Sequence, residues 1–495
     1  MTNLEALLAL FPSLLDLEGE FYLVGGAVRD TLLNRPVHDL DFAVQGEARK
    51  AARRFAHASG GSFYTLDEER DTARVLLEME GQHWNFDFAG LRSEDLEGDL
   101  RGRDFTINAM AVDVRQPDAL FDPCGGLEDT RAGILRACSP TAFLDDPVRI
   151  LRAARLSLSL KFRIDPQTSA WLKSAVPYLN RTSPERLRDE LFLMLESPKA
   201  FSAIQLLDML DVLELIFPEI EKLKQLPQSA PHVANGWNHT LATIQKLGEL
   251  WAALVSPYNE DAVNSLMVGL AVMRLGRFRE GLRSHFNQPL TPMRSRRGIL
   301  VLAALLHDIA KPISASVGAN GVHHFYGHDQ HGAKMAAEIA THLALSKPEV
   351  DYLRTLIGGH MRIHFLAKDS EISKRAIYRY FRSMGNVGID LTLLSLADTM
   401  ATYGTTLTPE IWQAELDVCR SLLEAWFEQE SEIVHPVKVI DGTILMKEFG
   451  LAPGPKLGAL ISAIEEAQAA GEVTSLDEGL AFARRLLVEI RESEE

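Results

Sequence analysis

Apolar and polar positions change their period once along the chain, and the first period is that of strands. Residues 21–45 predict a strand, a glycine turn, a short helix and a second strand around Leu40–Val44. Residues 73–89 predict a hairpin, because β-rich runs flank Gly81 and the alternation continues beyond it. The N-terminal part of the chain therefore predicts a small mixed sheet with helices.

From residue 140 onward the apolar positions recur with helical spacing, as in Asp146–Leu160 and Pro184–Leu195. Leu226–Trp237 is rich in Pro, Gly, Ser and Asn and is the best candidate for a linker, and a second break lies near Val434–Asp441. We expect an α+β protein with a mixed-sheet head at 1–140, followed by all-α segments at 141–226, 227–430 and 431–495.

Composition narrows the class of protein. The 495 residues include 51 Lys+Arg and 68 Asp+Glu, a formal net charge of −17, which argues against a protein coated in nucleic acid but permits a local basic groove. No apolar stretch reaches the roughly 18 residues of a bilayer span and the N-terminus is acidic, so we expect a cytoplasmic protein with no membrane partner. Three cysteines without CxxC spacing predict neither a disulfide partner nor a thiolate zinc site.

The first half of the chain holds a candidate site for phosphoryl transfer. Gly25-Gly26 follows an apolar strand and precedes a helix, where backbone N–H groups can approach a phosphate. Asp39 and Asp41 lie two apart on the next strand and project to the same face, where two carboxylates favour a bound cation. Asp87 on a later strand could bring a third carboxylate.

Five motifs in order resemble the class II tRNA nucleotidyltransferase (CCA-adding enzyme) and bacterial poly(A) polymerase family: YLVGGAVRDTLL (22–33), HDLDFAV (38–44), RDFTINAMAVD (103–113), DDPVRILRAARL (145–156) and SPERLRDEL (183–191). The resemblance implies a polymerase-β-like head in which Asp39 and Asp41 bind catalytic Mg²⁺, with Asp87 as a further catalytic carboxylate. It also implies two groups of nucleotide-binding residues. The first is Gly25, Gly26, Arg29, Arg103, Asp104 and Asn108; in the second, Asp146 and Arg149 read the base of ATP or CTP, with Arg152 and Arg155 close by.

The residues of the helix predicted at Asp146–Leu160, in the neck segment 141–226, agree with such a role. Arg149, Arg152 and Arg155 recur every three positions and so lie along one side of a helix. Residues 145–190 carry nine Lys+Arg against six Asp+Glu, a local net charge of +3. A basic surface face is the alternative interpretation, but the local concentration of positive charge favours binding of a nucleotide or of the tRNA 3′ end.

Two departures from the family pattern bear on the product. Gly102-Arg103 provides one arginine where the family often has two, and Phe88–Gly102 is short where many CCA-adding members carry a longer flexible loop. Ser93–Leu100 could form a short rigid helix. We therefore expect partial addition, CC or A alone, with full CCA addition and poly(A) synthesis as alternatives.

The second half of the chain contains imidazoles and carboxylates on apolar helices: His239, His307, Asp308 and Asp398. Buried groups of this kind must be paired or bound to metal. Their order resembles the HD phosphohydrolase domain, which implies that all four are ligands of a second divalent metal (Mn²⁺, Ni²⁺, Fe²⁺ or Mg²⁺), with His328 and His360 as possible additions. We expect ordinary core or surface roles for the other histidines singled out: His232, His323, His324, His331 and His364.

Residues 437–487 resemble the C-terminal piece of the same long enzymes, and the turn Gly450–Gly458 could present backbone N–H groups to RNA. Two rival readings remain open. One is an HD phosphohydrolase with a degenerate head, and the other is a noncatalytic RNA-binding protein; the intact pair Asp39 and Asp41 speaks against both.

Overall fold

The computed structural model describes residues 3–292, 294–368 and 371–494. The chain forms two compact units: the first takes the residues up to 190 together with 206–215, and the second takes 191–205 and the chain from 216 onward. A mixed-sheet head followed by helices confirms the predicted fold class. The predicted boundaries at 140, 226 and 430 stay a prediction.

The head is built on a seven-stranded sheet with the order β3-β4-β5-β2-β1-β6-β7. Its strands are β1 (Glu20–Val24), β2 (Asp39–Gln45), β3 (Ser62–Asp67), β4 (Thr72–Met79), β5 (Gln82–Gly90), β6 (Ala111–Asp113) and β7 (Leu120–Phe121). β2 and β5 pair in parallel, and the other neighbouring strands pair antiparallel. The hairpin predicted around Gly81 is confirmed as β4–β5, and Gly81 adopts φ +76° in its turn, where glycine carries no steric penalty.

Five helices accompany this sheet: α1 (Asn3–Ala9), α2 (Gly26–Leu32), α3 (Ala48–Ser59), α4 (Leu96–Arg101) and α5 (Gly126–Ala132). α3 covers β4 and β5, and its Phe55 is buried with Phe86 and Phe88. On β2 the alternate residues Leu40 and Phe42 enter this core. The intervening residues of β2 therefore project from the opposite face, and this alternation places the two aspartates of β2 together.

Near the end of the head, β8 (Ile134–Leu135) pairs in parallel with β9 (Arg163–Ile164) of the neck, the segment 141–226. Seven helices complete the neck: α6 (Ala142–Asp145), α7 (Arg149–Leu160), α8 (Pro166–Ala175), α9 (Pro184–Leu195), α10 (Ala200–Met209), α11 (Val212–Ile216) and α12 (Ile220–Lys224). α7 begins at Arg149 and not at Asp146, where the sequence pattern placed its start. Asp146 is extended (φ −148°, ψ 93°) because the following Pro147 disfavours helical backbone at the preceding residue.

The helices of the third segment are α13 (Gly236–Leu254), α14 (Leu266–Leu275), α15 (Arg279–Asn287), α16 (Arg296–Leu306), α17 (His328–His342), α18 (Lys347–Gly359), α19 (Arg362–Leu366), α20 (Lys374–Met384), α21 (Val387–Tyr403) and α22 (Pro409–Glu428). A small hairpin of β10 (Ser316–Val317) and β11 (His323–His324) lies between α16 and α17. α21 is buried on every side from Val387 to Ala401 and packs against α13, α16 and α18. A carboxylate on α21 is therefore held in the interior of this domain.

The tail consists of α23 (Gly442–Phe449), α24 (Pro455–Ala469) and α25 (Leu476–Glu494) around a core of its own. Arg379 of α20 binds Glu466 of α24 at 2.6 Å, so the tail docks partly through ion pairs. Gly450, at φ +66°, ends α23 and opens the turn Gly450–Gly458, for which RNA contact stays a prediction. Short 3₁₀ segments lie at Pro12–Leu14, Thr106–Asn108, Val176–Arg181, Glu260–Ala262, Gly276–Phe278 and Gly404–Thr406, and one π-helical turn at Glu430–Val434. Among the described residues, no helix is long and apolar enough to span a bilayer.

Candidate active site and metal centre

Two aspartates of β2 form the first carboxylate group. Asp39 accepts a hydrogen bond from the side-chain amide of Asn85 at 2.6 Å, and Asp41 is paired in register with Asp87 on the parallel strand β5. Although part of its side chain reaches solvent, desolvation by the surrounding pocket and the neighbouring Asp87 raise the pKa of Asp41. A carboxylate in this state gains from a cation placed against it.

Asp87 is already paired with a positively charged side chain, that of Arg74. Arg74 on β4 donates two hydrogen bonds of 2.7 Å to its carboxylate, and Asp87 in turn raises the pKa of the Arg74 guanidinium. Arg74 belongs to the strand opposite Asp87 in the antiparallel register, a contact that sequence reasoning did not identify. Asp87 would therefore exchange or share this partner if it also took part in metal binding.

A glycine lets a cation and a carboxylate converge at the start of α2. Gly25 has φ +73°, and a Cβ there would lie 3.3 Å from Nη1 of Arg103 and 3.5 Å from Oδ2 of Asp41. Arg103 is itself held by the buried Asp99, whose Oδ2 accepts from Nε at 3.2 Å and from Nη2 at 3.0 Å. The site therefore brings a fixed guanidinium to the carboxylate edge without any side chain on the glycine between them.

These groups line a cavity of about 340 Å³. Most of the predicted residues of the head and neck lie in its wall: Gly25, Gly26, Asp41, Asp87, Arg103, Asp104, Asn108, Asp146, Arg149 and Arg152. Three predicted residues lie outside the lining. Asp39 is two positions from Asp41 on β2, Arg29 is buried and donates to Asn108 at 2.5 Å, and Arg155 is paired with Glu190 at 2.7 Å. Arg29 and Arg155 thus support neighbouring residues.

Sequence reasoning missed three charged residues of the cavity wall: Arg92, Asp99 and Arg186. Arg186 donates two hydrogen bonds, at 3.0 and 2.7 Å, to the carboxylate of Asp146. Arg186 belongs to the SPERLRDEL motif, so the residue itself could be found in the sequence. The sequence did not show that Asp146 is its partner. Asp99 did carry a signal in the sequence, because its partner Arg103 lies only four residues later.

The candidate base-reading residues are tied into the protein. Nη2 of Arg149 donates to the main-chain carbonyl of Gly102 at 3.0 Å and its Nη1 to that of Ala142 at 3.2 Å. Arg152 forms an ion pair of 2.8 Å with Asp104. The pocket therefore offers oriented donors and acceptors held in place by the fold, which is what discrimination between base edges requires.

The second constellation is a candidate metal centre of two triads. His239, His307 and Asp398 form one group, and Asp308, His328 and His360 form the other; within each group the potential ligand atoms lie within 4.8 Å of one another. Asp308 lies between them: its Oδ2 is 3.2 Å from Nε2 of His307, and its Oδ1 is 3.4 Å from Nε2 of His328. The arrangement suits two adjacent divalent ions with Asp308 as the shared carboxylate.

The imidazole tautomers fit ligand roles. Nδ1 of His307, His328 and His360 lies 2.7–2.9 Å from the main-chain carbonyl three residues earlier in each case. A ring nitrogen that donates its proton to a carbonyl leaves Nε2 with a free lone pair, and these Nε2 atoms converge on the carboxylates. Burial and the neighbouring His328 also lower the pKa of His360 to about 3, which keeps that ring neutral. This donor set fits the predicted divalent metals.

A cavity of about 950 Å³ opens beside this centre. Lys311 in its wall contacts Asp308 at 2.6 Å. His364, expected to be an ordinary histidine, connects Asp398 at 2.9 Å with Glu415 at 3.0 Å; burial opposes its protonation, but Glu415 and Asp398 raise its pKa to about 10. His232, His323 and His324 line the same cavity, and burial together with Lys311 lowers the pKa of His232 to about 4.

A strand-borne carboxylate pair beside a glycine turn, on a chain that also carries a histidine–aspartate cluster in helices, is the arrangement expected of a nucleotidyltransferase with an HD domain. Three families match the sequence: the Poly A polymerase head domain at residues 21–136, the probable RNA and SrmB-binding site of polymerase A at 161–224, and the HD domain at 262–399. The HD match includes His307, Asp308 and Asp398, while His239 precedes it.

Relatives extend over nearly the whole chain. The A-adding tRNA nucleotidyltransferase of Deinococcus radiodurans is 32% identical over 469 residues, 94% of this chain and 94% of that protein. The CC-adding enzyme of Geobacter sulfurreducens is 31% identical over 91% of this chain and 88% of that protein. A CCA-adding enzyme solved with ATP shares the fold, with a TM-score of 0.61, 22% identity and coverage of 98% of this chain and 95% of that one. The chain belongs to the tRNA nucleotidyltransferase family, which confirms the family predicted from its motifs.

Proposed function

We propose that this chain adds part of the CCA sequence to the 3′ end of tRNA, using CTP or ATP and Mg²⁺. The observation that carries the proposal is the pocket in which Asp41, Arg103 and the Asp146–Arg149 segment face one another. A carboxylate edge for metal, a cation for phosphate and a polar edge for the base are what a nucleotidyltransferase needs in one place.

The roles of the chain's residues follow from this geometry. Asp39 and Asp41 would hold Mg²⁺, which supplies charge stabilisation for attack on the α-phosphate and for the departing pyrophosphate. Arg103, fixed by Asp99, orients the phosphates. Asp146 and Arg149 discriminate the base, since a polar edge left unpaired in the pocket is costly.

The segment after β5 supports partial addition. β5 ends at Gly90, and α4 begins at Leu96, where the side chain of Asp95 caps it by accepting from the Gly98 amide at 2.8 Å. The helix is thus shorter than the Ser93–Leu100 helix that the sequence suggested. Asp99 anchors it through Arg103 and through the Arg92 amide at 3.1 Å. A short anchored segment is poorly suited to the movement by which a pocket changes from one nucleotide to another. The CC-adding and A-adding names of the relatives agree with this proposal.

The test uses tRNA transcripts that end before CCA, after CC, or after CCA, each incubated with labelled CTP or ATP and Mg²⁺. We expect incorporation on one of the first two transcripts only, and none by Asp39→Ala or Asp41→Ala variants that retain the wild-type circular dichroism spectrum. Quantitative conversion of the first transcript to one ending in CCA would refute partial addition. Full incorporation by either variant would refute the site.

A second activity is favoured by the position of Asp308, which belongs to one ligand triad and lies 3.2 Å from His307 of the other. We propose that the HD domain hydrolyses a phosphate ester with two divalent ions. His239, His307 and Asp398 would hold one ion, while His328 and His360 would hold the other. Burial opposes ionisation of Asp308, but His307 and Lys311, which lies 2.6 Å away, hold its pKa well below the usual value. Loss of metal-dependent hydrolysis of 2′,3′-cyclic AMP in a His307→Ala variant, with nucleotide addition unchanged, is the expected result.

A further inference from the structure

His364 contacts two carboxylates that the fold brings to one side of the candidate metal centre. It belongs to the short helix α19, which packs against α21 and α22. Nε2 of His364 lies 2.9 Å from Oδ2 of Asp398 on α21, and Nδ1 lies 3.0 Å from Oε1 of Glu415 on α22. Asp398 and Glu415 are 8% and 5% exposed, so water has little access to either carboxylate. The ring of His364 is therefore held between two buried acids.

The two oxygens of Asp398 have different surroundings. Oδ2 faces His364, and because an ionised carboxylate can only accept a hydrogen bond, Nε2 of the ring donates to it. Oδ1 lies 3.0 Å from Nε2 of His239 and 3.9 Å from Nε2 of His307, the two histidines of its triad. The hydroxyl of Thr402 makes a longer contact of 3.4 Å with Oδ1. Of the two oxygens, Oδ1 is thus the one placed to bind an ion.

Glu415 fixes the other side of the imidazole ring. Its Oε1 accepts a hydrogen bond from the hydroxyl of Ser395, a buried residue of α21. Glu415 is therefore tied to the same helix that carries Asp398. A rotation of the His364 ring would break its contacts with both carboxylates, so Glu415 helps to set the direction in which Nε2 points.

We propose that His364 is a positioning residue of the HD centre: held by Glu415, it donates to Oδ2 of Asp398 and so directs Oδ1 alone toward the metal. The inference rests on the proposed hydrolytic function of this centre. An aspartate that binds through one oxygen occupies one coordination position, whereas a bidentate aspartate occupies two. The position left open can accept water or the phosphate ester, as a catalytic metal site requires.

The experiment measures the affinity of the full chain for Ni²⁺, an ion suited to imidazole ligands, by isothermal titration calorimetry. The binding that a His307→Ala, Asp308→Ala double variant lacks is assigned to the HD centre, which separates it from any binding at the head. His364→Ala should weaken this binding by about 10- to 100-fold, the usual effect of removing a residue that orients a metal ligand. His364→Gln, whose amide can still donate to Asp398, should recover part of the affinity.

His285→Ala is the matched control, because His285 also contacts a buried carboxylate of α21. Its Nε2 lies 2.6 Å from Oδ2 of Asp390, which belongs to neither ligand triad. The hydroxyl of Tyr352 donates to Asp390 at 2.7 Å, so this carboxylate keeps a partner in the variant. We expect His285→Ala to lower the free energy of unfolding in urea while leaving the affinity for Ni²⁺ unchanged.

Wild-type affinity for Ni²⁺ in His364→Ala would overturn the positioning role. An equal loss of affinity in His285→Ala would also overturn it, because the effect would then be a general loss of stability. Both outcomes leave the proposed hydrolytic function intact. If the wild-type chain binds no more Ni²⁺ than the double variant, the proposed metal centre fails and the inference fails with it, so the two kinds of failure are distinguishable.

Discussion

Replacing Asp99 by Asn tests how strongly the pocket holds the guanidinium of Arg103, the residue proposed to orient the phosphates. Asp99 is 4% exposed, and its Oδ2 accepts from Nε and Nη2 of Arg103 at 3.2 and 3.0 Å. Asparagine keeps the size of the side chain but removes the charge. A hydrogen bond to a charged group contributes about 1.5–3 kcal/mol net. Because the Arg103 side chain keeps 20% of its exposure and water can partly replace the bonds, we expect a loss of about 2 kcal/mol for the two together.

Since 1.4 kcal/mol corresponds to a factor of ten, kcat/KM for the nucleotide should fall about 30-fold, mainly through KM. The assay is incorporation of labelled nucleotide into saturating tRNA, with urea unfolding as a check on the fold. Glu97→Gln is the matched control: Glu97 and Arg101 form an exposed pair of 2.8 Å on the same helix, and such pairs contribute little. An unchanged kcat/KM in Asp99→Asn, or an equal loss in Glu97→Gln, would refute the reasoning.

Three further predictions concern the base edge, the metal centre and acid stability. Asp146→Asn and Arg149→Ala should reduce the preference for ATP or CTP over GTP and UTP by more than they weaken tRNA binding; wild-type selection in both would remove them from base recognition. A His307→Ala, Asp308→Ala double variant should lose bound divalent metal by elemental analysis, and unchanged metal content would refute the centre. Glu349 is buried, and burial alone would raise its pKa, but hydrogen bonds from its arginine partner and from a serine outweigh burial and lower the pKa. The stabilising effect of Glu349 is therefore present above the unfolded-state pKa and is lost as pH falls through the folded-state pKa. Glu349→Gln should therefore lower the free energy of unfolding at neutral pH, with the difference shrinking in acid; a difference independent of pH would contradict this.

Local pattern was enough to locate the elements that carry the site. The alternation around Leu40–Val44 and the hairpin at Gly81 are properties of neighbouring residues, and the structure has both. The position of Asp146 shows the limit of periodicity, because Pro147 excludes it from the helix that begins at Arg149. A single proline next to Asp146 therefore outweighed a helical pattern that extends over more than ten residues.

Partners distant in sequence could not be predicted in the same way. Arg74 reaches Asp87 only because the register of β4 on β5 places them opposite each other. His364 is an isolated histidine in sequence and gains its role from the fold, which places it between Asp398 and Glu415. Pairs of this kind form through tertiary packing, and the spacing of residues along a single sequence does not show which distant residues will meet.

Three of the four histidines in the two triads, His307, His328 and His360, obtain their orientation from main-chain carbonyls three residues earlier in the chain, those of Ala304, Phe325 and Ile357. The side chains at these positions take no part in that hydrogen bond. The orientation of each ring is therefore insensitive to the amino-acid identity of its acceptor, as long as the local turn persists. A substitution at residue 304, 325 or 357 that preserves the local turn leaves the acceptor of that ring in place. If carboxylate side chains oriented these histidines, substitution of the carboxylate would remove the acceptor. The coordination geometry can in this way outlast extensive divergence of the surrounding sequence, and with it the opportunity to acquire a new substrate.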